Sequence, residues 1–165
     1  MPRASSPSRK RTAKPPRGFV FRDYALRDFD ALLRLDRECF VEGIAYTEDE
    51  MSKFLHHRGA FTIVAEDAAG RIVGFVVTLV QKRFAWIITI DVHADARRSG
   101  LGTRLMQAVE QRLAEKEVIA VLLEVAVDNL SAIKFYKRLG YDISRALPRY
   151  YMNKLDAFEM IKSLE

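Results

Sequence analysis

Cysteine is nearly absent: Cys39 stands alone, so no intrachain disulfide can form and a cysteine-rich metal cluster is excluded, which suits a reducing cytoplasm. Histidine is scarce as well, and His56, His57 and His93 make no ligand pattern, so no metal is expected. No apolar run approaches the ~18 residues of a membrane-spanning helix, and no membrane role is expected. Four of the five prolines fall within the first 16 residues, which leaves the rest of the chain almost free of helix breakers. What is present is ordinary for a globular protein. Apolar residues at 49% and charged residues at 30% exclude a disordered or collagen-like polymer, and 165 residues suit one domain with a short appendage.

Acid is missing from residues 1–17, which carry Arg3, Arg9, Lys10, Arg11, Lys14 and Arg17. Those six account for the formal charge of +5, because the other 21 basic residues face 22 acidic ones. The segment also holds three serines, and its one large apolar residue is Met1. It cannot bury enough surface to offset the entropy of ordering, so residues 1–17 read as a disordered basic tail and 18–165 as the folded domain. Pro2, Pro7, Pro15 and Pro16 oppose the amphipathic helix of a transit peptide. Two roles remain open for the tail: a solvated extension, or a weak, salt-sensitive contact with the ribosome, RNA or another polyanion.

From Gly18 onward, strand and helix signals alternate without repeats. Phe19 to Arg22 is a short strand candidate, and Leu26, Phe29, Leu32, Leu33, Leu35 and Phe40 recur near helical spacing over about 27–39. Thr47 and Glu50 form a capping box ahead of Met51, Phe54 and Leu55, with Gly59 as the stop. Phe61 to Glu66 and Ile72 to Val80 flank Asp67-Ala68-Ala69-Gly70, the composition of a tight turn in a hairpin. Ala85 to Val92 continues the run as a third strand. Leu101, Leu105, Val109 and Leu113 mark a helix ending near Lys116. Val118 to Val127 is apolar but for one carboxylate and is expected to be a central strand covered on both faces. A short helix over Asn129 to Leu139 and two strands, Tyr141 to Ala146 and Ala157 to Leu164, complete the order. Strand 85–92, the helix after it and strand 118–127 form one βαβ unit, so an antiparallel meander leads into a single parallel pair. The fold class is α+β with a mixed sheet.

Two stretches carry chemistry. Residues 91–103, from Asp91 to Thr103, run from a strand end into a helix start, where unpaired N–H groups and the positive dipole end suit a pyrophosphate. Gly100 and Gly102 allow close approach, and Arg97 and Arg98 add charge, although the pattern is neither G-x-G-x-x-G nor a P-loop; an ordinary βα loop is the bland alternative. The second stretch, Leu122 to Tyr141, contains Glu124 within an apolar strand. Burial raises a carboxylate's pKa and makes it a usable general base near neutral pH, whereas a structural glutamate would accept backbone N–H groups or pair with an arginine. Asn129 stands where that strand gives way to a helix, as a cap or as a ligand contact. Tyr136 falls on or beside the apolar face of Ala132 and Leu139, as a core aromatic or as a phenol that donates a proton in a cleft.

On these residues the chain resembles a GNAT superfamily N-acetyltransferase over nearly the whole of Phe19 to Leu164. Arg97, Gly100 and Gly102 match R/Q-x-x-G-x-G/A, which implies a cradle for acetyl-CoA built from Arg97, Arg98, Ser99, Gly100, Leu101, Gly102 and Thr103. The resemblance also implies backbone contacts to the acetyl and pantetheine portions from Ile90, Asp91 and Val92, and a seven-stranded α/β/α sandwich with four helices whose parallel pair splays around acetyl-CoA. LEVAVDN…AIKFY…LGY is similar to L-E-V-x-x-x-N-x-x-A-I-x-x-Y-x-x-x-G-F of bacterial ribosomal-protein alanine N-acetyltransferases and related protein N-terminal acetyltransferases. Carried over, Glu124 would be the general base, Asn129 a cofactor contact and Tyr136 the general acid. Tyr150-Tyr151-x4-Asp156-Ala157-x2-Met160 resembles the ending of N-terminal acetyltransferases and implies a peptide acceptor, lying against Tyr46, Tyr150 and Tyr151. Two segments depart from the family pattern: Phe40 to Tyr46 lacks the F-P-W-S-like sequence, and Met152-Asn153-Lys154-Leu155 lacks the usual Gly-Glu. Both lie where the acceptor is chosen.

The expected function is direct transfer of an acetyl group from acetyl-CoA to the α-amino group of a protein or peptide in the cytoplasm. An α-amine loses its proton at a pH of about 7.7–8, against about 10.4 for lysine, so a modest base suffices. Acetylation of a small amine (polyamine, amino sugar or antibiotic) and a catalytically silent acyl-CoA-binding module are the alternatives.

Overall fold

The computed structural model describes residues 18–165. The expected tail, 1–17, lies outside the described residues. The chain forms β1 (Val20–Asp23), α1 (Phe29–Cys39), α2 (Glu48–Leu55), β2 (Ala60–Glu66), β3 (Ile72–Gln81), β4 (Phe84–Val92), α3 (Leu101–Ala114), β5 (Ala120–Ala126), α4 (Leu130–Arg138), β6 (Asp142–Tyr151) and β7 (Leu155–Ser163). Seven strands make one sheet in the order β1-β2-β3-β4-β5-β7-β6, and every pairing is antiparallel except β4 with β5. The mixed α+β sheet with one parallel pair and four helices is thus as the sequence implied.

Local chemistry explains the element ends. Thr47 caps α2 by accepting the Glu50 N–H while Glu50 accepts the Thr47 N–H, at 3.2 and 2.8 Å. The β2–β3 turn closes on Asp67, whose carboxylate accepts the N–H groups of Ala69 and Arg71, and Gly70 supplies the positive φ of 77° that the turn needs. In α3 the four-residue repeat Leu101, Leu105, Val109, Leu113 is buried throughout, together with Met106.

Helices cover both faces of the sheet. Residues of α3 and α4, with Ile63, Ala85, Ile87, Val121 and Leu123 among the strand residues, build one core cluster; Leu32, Leu33, Leu35, Met51 and Leu55 pack on Val64, Phe75 and Val77 to build the other. The strand buried on both faces is β3, with Val73 to Thr78 continuously buried. The expectation that strand 118–127 holds this place is wrong. Along β5, buried Val121, Leu123 and Val125 alternate with half-buried Leu122, Glu124 and Ala126. The reason is coverage: α1 lies over β3 and β4, and α2 over β2 and β3, which leaves that face of β5 uncovered by either helix. The last strands also run longer than expected. β6 continues to Tyr151 and β7 begins at Leu155, and β6 is an exposed edge protected by Pro148, Arg145 and Arg149.

Candidate active site at the splayed strands

The parallel ladder between β4 and β5 is short. It runs from Phe84 opposite Ala120 to Ile87 opposite Leu123 and then stops. Beyond it, the pairing of β4 with β3 jumps from Thr78 with Ile87 to Val77 with Thr89, so Ile88 is the extra residue of a β-bulge. A bulge inverts the facing of every later residue. Before it, Ala85 and Ile87 join the core beneath α3 and α4; after it, Ile90 and Val92 do so, while Asp91 turns to the α1 side. The Tyr46 hydroxyl donates to the Ile88 carbonyl at 3.2 Å and so braces the bulge from the α1–α2 connection. Glu124 directly follows the last residue of β5 that pairs with β4, and the sheet opens between it and Ile88.

On the α3–α4 side the opening becomes a cleft of about 620 Å³. Of the residues expected to hold the cofactor, Ile90, Val92, Arg97, Arg98, Gly100, Leu101, Gly102, Thr103 and Asn129 line it, together with Tyr136. The first helical hydrogen bond of α3 runs from Arg104 N–H to the Gly100 carbonyl, so the Gly102 and Thr103 N–H groups ahead of it have no helical carbonyl to meet. Gly100 has φ 81°, and a Cβ built there meets nothing within 4 Å, which leaves open room above the helix start. Gly102 is different: its Cβ would come within 3.2 Å of the Phe135 ring, so a small residue is needed where α3 passes α4. With Arg97 and Arg98 beside it, this cradle fits a diphosphate.

Three of the residues expected at the cofactor are placed differently from the others. Ser99 is not on the cleft wall; its hydroxyl donates to the Ala96 carbonyl and holds the loop together. Leu101 lines the cleft but is 1% exposed, with its side chain in the core. Asp91 is not on the wall either: the bulge sends its carboxyl to the opposite face, which bears on its side chain and leaves the expected backbone contact untouched. Conversely, Cys39, Phe135 and Arg138 line the cleft without having been anticipated. Arg138 lies nine residues beyond Asn129 on a helix already placed at the site; for Cys39, only the tertiary approach of α1 to β4 reveals it. Its thiol donates to the Val92 carbonyl at 3.6 Å, and Arg97 Nε donates to the same carbonyl at 3.1 Å. The Asn129 side-chain oxygen caps α4 by accepting the Ala132 N–H, 3.2 Å away, and the residue borders the cleft.

On the other face stands Glu124, half-buried. Register places it directly opposite Glu159 of β7. Like charges so paired repel. Glu159 accepts a two-point contact from Arg145, at 3.1 and 2.9 Å, and a hydrogen bond from Ser144 at 2.8 Å, which holds its pKa below the usual range. Glu124 has no such cation of its own. Burial first, and the charge of Glu159 second, push its pKa up. Tyr150 and Tyr151 are within electrostatic reach of Glu124, with rings at 89° and 4.9 Å, and Tyr46 lies near both tyrosines. The structure therefore brings Tyr46, Tyr150, Tyr151 and Glu124 to one side of the opening. Tyr136 is on the other, 9% exposed, its pKa raised chiefly by burial, so that it carries its proton throughout the neutral range.

The family model described as "Acetyltransferase (GNAT) family" matches residues 29–141, from the start of α1 to Tyr141. The chain belongs to the GNAT acetyltransferase family. This GNAT protein is an acyltransferase, and it is 29% identical over 167 residues to an N-alpha-acetyltransferase of Sulfurisphaera tokodaii, covering 92% of this chain and 97% of that one. Among solved structures it superposes on Ard1 from Thermoplasma volcanium with a TM-score of 0.80 at 29% identity, covering 88% of this chain and 97% of that one. The ribosomal-protein-S18-alanine N-acetyltransferase from Escherichia coli shares the fold, with a TM-score of 0.81 at 21% identity over 90% and 95% of the two chains. In the GNAT protein no helix among the described residues is long and apolar enough to cross a membrane, and no cluster of metal-ligand type occurs among them.

Proposed function

We propose that the protein transfers the acetyl group of acetyl-CoA to the N-terminal α-amino group of a protein or peptide. The observation that carries this is the opening between β4 and β5, with an anion cradle on one face and a raised-pKa carboxylate, Glu124, among three tyrosines on the other. Acetyl-CoA supplies the activated acyl group. The α3 N-terminus, Arg97 and Arg98 bind its diphosphate, and the β4 backbone beyond Ile87, released from the β5 ladder, offers hydrogen-bonding groups to the thioester end. The acceptor enters from the face of Tyr46, Tyr150 and Tyr151. Glu124, ionised above its raised pKa, takes the proton of the incoming ammonium directly or through water, and the neutral amine attacks the carbonyl carbon. Tyr136 meets the departing sulfur from the cofactor side. Its desolvation keeps the phenol protonated, and the same surroundings penalise a free thiolate, so proton donation relieves the charge that develops there.

Relatedness to an N-alpha-acetyltransferase over almost its full length supports the acceptor class. The test is mass-spectrometric detection of acetyl transfer from labelled acetyl-CoA to three sets of acceptors: peptides with free N-termini, the same peptides with blocked N-termini and free lysines, and small amines. Transfer to free N-termini alone is the expected result. Transfer confined to polyamines, amino sugars or antibiotics would replace the acceptor assignment.

A further inference from the structure

Asp36 and Asp91 are both buried, at 0% and 1% exposure, and they meet across the α1–β4 contact. One oxygen of each is accounted for: Asp36 Oδ2 accepts the Tyr46 N–H at 2.7 Å, and Asp91 Oδ1 accepts the Thr89 hydroxyl at 2.6 Å. The other two, Asp36 Oδ1 and Asp91 Oδ2, have no donor among the described residues. Two buried acceptors facing each other repel, but one proton between them satisfies both. We propose that Asp36 and Asp91 hold a single shared proton and form a positioning pair, which locks the α1–α2 connection, through the Tyr46 N–H, beside the opening where the acceptor is held.

The pair joins two things the reaction needs at a fixed distance. Asp91 lies on β4 between cleft residues Ile90 and Val92, and Tyr46 braces the Ile88 carbonyl on the same strand. Other groups bearing on the pair are Arg37 and Cys39 of α1, Glu50 of α2, Tyr46 itself and Tyr136 of α4. Arg37 is the one cation in this set, and it acts on Asp36. Burial and the neighbouring Asp36 charge favour the protonated form of Asp91, so the pair titrates as a unit whose last proton leaves far above the usual carboxylate range. As pH rises through that point, two charges face each other in a dry contact and the brace loosens.

The decisive variant is Asp91→Asn, whose amide NH2 donates permanently to Asp36 while its carbonyl accepts from Thr89. Infrared spectra, recorded in a Glu124→Gln background to remove that carboxyl, should show a protonated carboxylic-acid band at neutral pH that Asp91→Asn abolishes. Amide hydrogen exchange should show Tyr46 protection falling at high pH in the wild type and persisting in Asp91→Asn. Neither measurement needs turnover, so both decide the pair even if the acetyl-transfer reading above, on which the kinetic arm rests, fails for every peptide. With a peptide substrate, the ratio of acceptor KM for wild type over Asp91→Asn should rise about tenfold toward high pH, the equilibrium equivalent of one hydrogen bond to a charged group, while the acetyl-CoA KM ratio stays flat. Taking the ratio cancels titration of the acceptor amine. A wild-type spectrum without the band, or a Tyr46 protection that follows the same pH course in both proteins, overturns the proposal.

Discussion

At the residue scale, Glu124 and Glu159 divide the work of two adjacent carboxylates through their partners. Arg145 and Ser144 keep Glu159 ionised, so its charge persists and disfavours a second one on Glu124. The active form of a base is the ionised one, so the rate should fall as pH drops through the raised pKa of Glu124. Glu124→Gln is expected to lower peptide acetylation by ~10²–10⁴, with most of the loss recovered at high pH as free amine accumulates. Glu159→Gln removes the repelling charge, which lowers the pKa of Glu124 and moves the acidic limb of kcat/KM to lower pH. A limb that stays in place would show that Glu159 does not set it. Tyr136→Phe deletes only a hydroxyl from a packed ring. Turnover should drop without high-pH recovery, and acetyl-CoA affinity measured by calorimetry should stay within about threefold, because ring packing is kept.

At the element scale, two helix starts carry the argument. The loop into α3 holds Gly100 at a positive φ with space above it, so Gly100→Trp both strains the backbone and fills the space proposed for the diphosphate. Acetyl-CoA at a hundredfold excess over Kd should stabilise the wild type by about 2.7 kcal/mol in thermal unfolding, and the variant should show no such shift. Before α1, the Asp28 carboxylate accepts hydrogen bonds from the Ala25 N–H and from the two terminal guanidinium nitrogens of Arg22, at 2.8, 2.7 and 2.9 Å. Arg22 holds the Asp28 pKa below its ordinary value. A depressed carboxylate contributes stability above its unfolded pKa of about 3.9 and loses it as pH falls through the lower folded value. Arg22→Ala should therefore cost about 2–3 kcal/mol in urea unfolding at neutral pH, discounted for a partly exposed arginine, and much less near pH 2.

For the whole molecule, the charge distribution separates a basic segment of 17 residues from a nearly neutral remainder. Every side chain given a role above lies within residues 18–165, so removing residues 1–17 is expected to leave kcat/KM on a short peptide within about twofold. Binding of the full-length chain to single-stranded RNA, followed by fluorescence anisotropy, should fall steeply with salt, and the shortened chain should not bind. RNA binding that survives the deletion would move the contact to the domain.

The sequence by itself determined the order of elements, the capping box, the hairpin turn and the glycine-containing loop into α3, because each rests on neighbours within a few residues. Glu124 was legible for a related reason: a carboxylate in an apolar strand is anomalous wherever the strand lies. Asp36 left a fainter mark, as an acid at helical spacing from Leu32, Leu33 and Cys39 on the apolar face of α1. Only the tertiary structure decided which strand is covered on both faces, since burial of β3 rather than β5 depends on where α1 and α2 come to rest. The opposition of Glu124 and Glu159 came from register, and the single extra residue at Ile88 turned the Asp91 side chain from the α3–α4 face to Asp36. Facing in a strand alternates with every residue, so one bulge, which leaves no trace in local propensity, reassigns all the side chains that follow it.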